Sequence, residues 1–319
     1  MSTLYGDKIR ILVTGSEGQI GRAFCRVAER LENIEIIPVN HRSFDVTDSA
    51  AIEAKLADVL PHYVLNGAGF NQVDAAEAHP GKAFAINADG PLNLAKACND
   101  LSIPVIHISS DYVFDGHYAS GYTELDEPAP LGAFGDSKLR GEEHVRAYQP
   151  KHIILRVSWV FSESGVNYLT KMLDKAREFK TIDAVDDRRG CPTAAHDVAR
   201  VILAIIQQLE EGADHWGTYH YSGAEITTRY RFTEAIIAAA GQYEELAVRK
   251  IRPVSGAEEE GAERPTSSVL TCKKILNTFG IRQRPWRVDL QRLIREIYGE
   301  DGSKVPQPTV ETKAEELGS

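Results

Sequence analysis

The fold turns on Thr14-Gly15-Ser16-Glu17-Gly18-Gln19-Ile20-Gly21. Residues 8–14 before it, Lys-Ile-Arg-Ile-Leu-Val-Thr, read as a short buried strand. After it, Ile20, Phe24, Val27, Ala28 and Leu31 recur at the spacing of one helical face, which predicts a helix over 19–31. A glycine-rich turn between a strand and a helix can hold a pyrophosphate. Gly15 permits the tight turn, Gly18 lets the backbone approach the phosphates, and Gly21 lets helix and strand pack closely. Gln19 and Ile20 open the helix, whose free N–H groups and positive dipole end face the same place. The spacing is GxxGxxG rather than the GxGxxG dinucleotide fingerprint, so the strand–turn–helix context carries the reading.

Outward from this turn the pattern repeats. Strands are predicted at 34–39, 63–65, 104–109 and 153–159, and helices at 50–60, 82–101 and 134–148. Alternating strands and helices predict an α/β fold, a doubly wound parallel sheet of the Rossmann type. The second half is less regular, with helices at 166–179, 195–209, 231–240, 272–279 and 289–298, a strand at 218–222, and a loop over 254–266. The expected organisation is a dinucleotide-binding domain over 6–165, to which the chain returns around 193–222. A smaller mixed substrate lobe covers most of 166–301. Residues 302–319 are polar, with two prolines and no aromatic side chain, and read as a disordered tail.

The 46 acidic residues outnumber the 36 basic ones, giving a net charge of −10, which argues against a nucleic-acid surface. The N-terminus carries no signal-peptide pattern, and no apolar stretch is long enough for a membrane span. Four cysteines, far apart and without a CxxC pair, fit a reducing cytoplasm. The ten histidines show no metal-ligand spacing, so no metal is expected. His107, inside an apolar strand, reads as a core histidine. Glu124, Asp126 and Glu127 read as a solvated loop.

The second strand should end with the group that reads the adenosine ribose. Here it runs into Val39-Asn40-His41-Arg42-Ser43 without an acid, which favours NADPH through Arg42, with NADH the alternative. Asp45 and Val46 are placed to flank the adenine.

Several motifs carry a resemblance: Asn66-Gly67-Ala68-Gly69-Phe70, Val73-Asp74-Ala75-Ala76-Glu77, Ser109-Ser110-Asp111-Tyr112-Val113-Phe114-Asp115-Gly116 and Phe134-Gly135-Asp136-Ser137-Lys138. With Arg156-Val157-Ser158-Trp159, Asn167-Tyr168, Gly190-Cys191-Pro192-Thr193 and Arg264-Pro265, they resemble the extended short-chain dehydrogenases/reductases, most of all the branch that reduces dTDP-linked 4-keto-6-deoxy sugars. The resemblance implies an NADPH-dependent reductase with a nucleotide-sugar substrate, and leaves room for a homodimer. It places Ala68, Gly69 and Phe70 with the cofactor, and Ser110, Asp111, Tyr112 and Trp159 against the substrate. Ser110 would bind the carbonyl oxygen, Lys138 the nicotinamide ribose, and Asn87 would support the active-site backbone.

The family's proton donor is a tyrosine four residues before the lysine, and here that position is Phe134. A positioned acid contributes about 10²–10⁴-fold in rate. One reading is a slow reductase whose proton passes through Ser110, a water or a neighbouring hydroxyl. Another moves the acid, with Tyr112 and Asp136 the candidates. A third is a non-catalytic regulatory subunit, a role the family also contains in the regulatory subunit thought to serve methionine adenosyltransferase. Epimerase or dehydratase chemistry also leans on the missing tyrosine.

Overall fold

The computed structural model describes residues 8–258 and 260–299; the predicted tail at 302–319 lies outside them. A six-stranded parallel sheet is built from β1 (Ile9–Thr14), β2 (Ile34–Pro38), β3 (Tyr63–Asn66), β4 (Val105–Ser110), β5 (His152–Val157) and β10 (Gly217–Tyr221). The spatial order is β10-β5-β4-β3-β1-β2. The strands after β1 are therefore added first on one side, at β2, and then on the other, from β3 onward, and a crevice opens at the carboxyl ends of β1 and β3.

Both faces of the sheet are covered. Ile11 and Val13 of β1 join a core with α1 (Gln19–Ala28) and α8 (Ala195–Glu210). Leu12, between them, points to the other face and packs with Ile52 and Leu56 of α2 (Ser49–Val59) and Leu94 of α5 (Gly90–Asp100). This two-residue alternation of buried side chains is what a strand covered on both sides requires. Helix α6 (Ala133–Tyr148) follows β4 and packs beside α5, while α10 (Lys273–Phe279) lies near β10.

A second core gathers Phe161, Leu169, Leu173, Phe232, Trp286 and Leu290 from α7 (Tyr168–Glu178), α9 (Arg229–Ala240), α11 (Trp286–Tyr298) and the segment before α7. Three short pairings accompany it: β6 (Val160–Phe161) with β9 (Thr193–Ala194), β7 (Thr181–Val185) with β12 (Lys250–Val254), and β8 (Arg189–Gly190) with β11 (Thr227–Thr228). Periodicity misses these strands because two to five residues hold too little of it.

Two expectations are corrected. The single helix expected over 82–101 is broken: after α3 (Val73–Ala78), α4 (Pro80–Phe84) gives way to a π turn at Ala85–Asp89 and then α5. Pro91 has no N–H to donate, and the widened turn turns Asn87 toward the backbone of Phe70. The strand expected over 153–159 stops at Val157, because Trp159 adopts φ +46°, outside the strand region.

Candidate active site

At the end of β1 the chain turns at Gly15 with φ +62°, where glycine is favoured. A Cβ there would lie 2.5 Å from the carbonyl carbon of Gly67, just beyond β3. A Cβ on Gly21 would lie 2.2 Å from the Gly15 carbonyl oxygen, so the first turn of α1 rests directly on the loop. Thr14 Oγ1 donates to Asn66 Oδ1 at 2.7 Å and accepts from the Ala68 N–H at 3.2 Å, tying the two strand ends together. The Gly18 N-cap of α1 carries no side-chain hydrogen bond, and Gly18, Gln19 and Ile20 line a cleft of about 680 Å³. A glycine-walled turn against an uncapped helix start fits a pyrophosphate.

The same cleft receives Ala68, Ser110, Asp111, Tyr112, Phe134 and Lys138. Phe134 and Lys138 are one helical turn apart on α6 and so share a face. Lys138 is 4% exposed and donates from Nζ to the Ile108 carbonyl at 2.7 Å. Burial pulls its ammonium down to about 8, with Glu142 opposing the shift. Phe134 is buried with Ala76 and Ala83, and its ring meets Tyr112 edge-on at 5.4 Å between centroids. Asn87 accepts from the Phe70 N–H at 2.8 Å and donates both to its carbonyl and to Ser137 Oγ. Ser137 in turn donates to the Phe134 carbonyl, so the π turn braces the α6 end of the site.

Ser110 Oγ donates to Asp111 Oδ1 at 3.1 Å and accepts from the Tyr112 N–H at 3.2 Å. Asp111 is 2% exposed, and Ser158 Oγ donates to its Oδ2 at 2.8 Å. Burial pushes its carboxyl up, against the pull of hydrogen bonds from Ser268, Ser158 and Ser110 and the charge of Arg229. His107 is fully buried, with Nδ1 3.1 Å from Asn66 Nδ2, and burial holds it neutral. Asp136 is exposed on α6 and does not line the cleft. Glu124 differs from the solvated loop expected: it is half-buried and accepts the His220 N–H at 2.8 Å.

Trp159 lines the outer wall. Its left-handed backbone lays the indole over Gly190, where a Cβ would fall 2.3 Å from the ring. The Arg229 guanidinium sits 3.7 Å from the Trp159 ring centroid and 4.3 Å from that of Tyr168, stacked on both. These residues, with Tyr112, continue into a second cleft of about 540 Å³. Lys171, Lys175, Arg188, Arg229 and Arg264 line it, against Asp183 and Glu258. Asp183 is itself paired with Arg252. In a chain of net charge −10, this is a locally basic hollow suited to an anion. Sequence reasoning missed it, because its cations come from four separate parts of the chain, Lys171 and Lys175 from α7, Arg229 from α9, and Arg188 and Arg264 from loops.

Other sequence-predicted residues stand away from the cleft lining. Arg42 is exposed after β2, its N–H held by Asn40 Oδ1 at 3.0 Å. Asp45 accepts from the Thr47 N–H and hydroxyl, which hold its carboxyl below its ordinary value. The Val46 side chain is buried, with Cγ2 2.8 Å from the place of a Cβ on Gly90. Gly69 and Phe70 lie against Asn87.

The parallel sheet, the glycine turn at its switch point and the Ser110–Lys138 pair define a dinucleotide-binding fold of the short-chain dehydrogenase/reductase type. The family profile described as RmlD substrate binding domain matches residues 9–298, and the chain belongs to this family, that of the dTDP-4-dehydrorhamnose reductases. It is 36% identical to the dTDP-4-dehydrorhamnose reductase of Sinorhizobium fredii, covering 90% of this chain and 97% of that one. The reductase of Escherichia coli is 31% identical over 91% of this chain and 98% of its own. Among solved structures, the dTDP-4-dehydrorhamnose reductase of Bacillus anthracis in complex with NADP superposes with a TM-score of 0.83 at 30% identity, covering 91% of this chain and 99% of that one. Among the described residues, no helix is long and apolar enough to cross a membrane.

Proposed function

We propose that this chain is a cytoplasmic NADPH-dependent reductase that converts the 4-keto group of a dTDP-linked 6-deoxyhexose to an alcohol. The observation that carries the reading is the meeting, in one cleft, of the glycine cradle with Ser110 and Lys138. Gly15, Gly18 and Gly21 would hold the pyrophosphate, Arg42 the 2′-phosphate, and Asp45 the adenine edge. When bound, the dihydronicotinamide supplies the hydride. Lys138 is placed for the nicotinamide ribose and Ser110 for the substrate oxygen, while Trp159 and Tyr112 wall the sugar. The basic hollow beyond Arg229 has the charge to take the nucleotide diphosphate.

Phe134, at the donor position, favours a second reading: a nucleotide-binding subunit without turnover. NADPH titration by fluorescence and NADPH oxidation with dTDP-4-dehydrorhamnose, on wild type and Phe134→Tyr, separate the two. Turnover by either protein supports the reductase site. Two proteins that bind NADPH and never oxidise it with this sugar support the regulatory reading.

A further inference from the structure

Without a phenol at 134, the oxygen that gains charge during reduction needs another proton. Tyr112 is a poor source. A phenol gives its proton readily when a cation stands beside it, as Lys138 would beside position 134. Tyr112 is pushed up by burial first of all, and the opposing pull of Arg229, Arg264 and Arg188 does not overcome it.

We propose that Asp111, acting through Ser110, supplies the proton for carbonyl reduction in this chain, an inference that rests on the reductase reading above. The geometry carries it. Ser110 Oγ is at the cleft, accepts from the Tyr112 N–H and donates to the Asp111 carboxylate at 3.1 Å; once that carboxyl is protonated the contact runs from Asp111 to Ser110 and frees the Ser110 O–H for the substrate oxygen. Asp111 is nearly sealed from water, and its side-chain hydrogen bonds come from neutral hydroxyls rather than from a cation. A carboxyl in that setting keeps its proton more readily than an exposed one. The titratable and charged groups that face it are Arg229 of α9, Cys191 from between β8 and β9, and Tyr112 of its own turn.

The step balances. The carbonyl carbon takes the hydride, and the π pair moves onto oxygen. The Ser110 Oγ–H bond breaks as the new O–H bond forms, and Oγ takes the proton of Asp111 Oδ1. One proton and one hydride are consumed, leaving the alcohol, NADP⁺ and an Asp111 carboxylate, which regains a proton from solvent by the same path through Ser110 before the next turnover.

The test follows single-turnover oxidation of NADPH with dTDP-4-dehydrorhamnose across pH. Wild type should lose rate as pH rises through the Asp111 titration, since the carboxylate has no proton to pass. Asp111→Asn should lose about 10²–10⁴-fold, the worth of a positioned acid, and its residual rate should be flat with pH, with NADPH affinity unchanged. Phe134→Tyr restores a phenol beside Lys138, so the double variant Phe134→Tyr/Asp111→Asn should turn over about 10²-fold or more faster than Asp111→Asn alone. That rescue also shows that the asparagine variant folds. Ser158→Ala, a milder change, removes one hydrogen bond to the charged carboxylate and should move the wild-type midpoint up by about one pH unit. A wild type inert where Phe134→Tyr turns over overturns the relay and leaves the reductase reading standing. Inert wild type and inert Phe134→Tyr, both with NADPH bound, overturn both. An Asp111→Asn protein as fast as wild type, or a Ser158→Ala midpoint that stays in place, overturns the relay alone.

Discussion

Phe134 and Gly190 are single residues that set opposite limits on the site: one withholds a proton, the other makes room for a ring. Gly190→Ala places a methyl 2.3 Å from the Trp159 indole, which must swing away from both clefts. The expected result is a several-fold rise in KM for the nucleotide sugar with NADPH affinity unchanged, measured by steady-state kinetics and fluorescence titration. Gly21→Ala acts on the other ligand. Its methyl would overlap the Gly15 carbonyl, so NADPH binding should fall by at least tenfold, about 1.4 kcal/mol, at equal protein concentration. These two variants divide the cleft into a cofactor half and a substrate half. Gly15, Gly18 and Lys138 are legible in the sequence because each acts within one turn or one loop. The Asp111 environment is not, since Ser158 and Ser268 reach it from distant parts of the chain.

The join between α6 and β5 shows what one element contributes to another. Arg156 of β5 donates to Glu142 of α6 at 2.8 and 2.7 Å, a two-pronged pair with both side chains buried. Burial pushes the Glu142 carboxyl up, but the hydrogen bonds and charge of Arg156 overcome this and hold it at about 2. Glu142→Gln strands a buried guanidinium and should cost about 3–5 kcal/mol in urea unfolding at neutral pH. A folded value below the ordinary 4.5 means that the pair's stabilisation is present above pH 4.5 and is lost as pH falls toward about 2. The gap between wild type and Glu142→Gln should therefore close over that window, and a gap constant with pH would contradict the assignment. Elements of ten or more residues with one apolar face, such as α1 and α6, are legible from periodicity. The π turn at Ala85–Asp89 is not, because Asn87 departs from the helix to satisfy the Phe70 backbone, a contact made across the fold.

Across the whole molecule the two cores interleave along the chain. The sheet takes strands from Ile9 to Val157, and then takes β10 from residues 217–221, after the chain has already entered the second core at Phe161. Helix α8 returns between these visits and covers the face that Ile11, Val13 and Leu155 present. The strands of the sheet and the helices that cover it lie on both sides of the boundary expected at residue 165. A fragment of residues 1–165 would lose β10, α8 and α10, leaving β5 as an open edge and one face of the sheet with α1 as its remaining cover. An exposed edge and an apolar face are both invitations to aggregate. The fragment should therefore lack a cooperative thermal transition and fail to bind NADPH, although it holds the glycine cradle and Lys138. The intact chain should melt in one transition, which NADPH at 100 times its Kd raises through about 2.7 kcal/mol of added stability. Calorimetry of both proteins with and without NADPH decides it. A fragment that melts cooperatively and responds to NADPH would show that the first five strands need no cover from the returning chain.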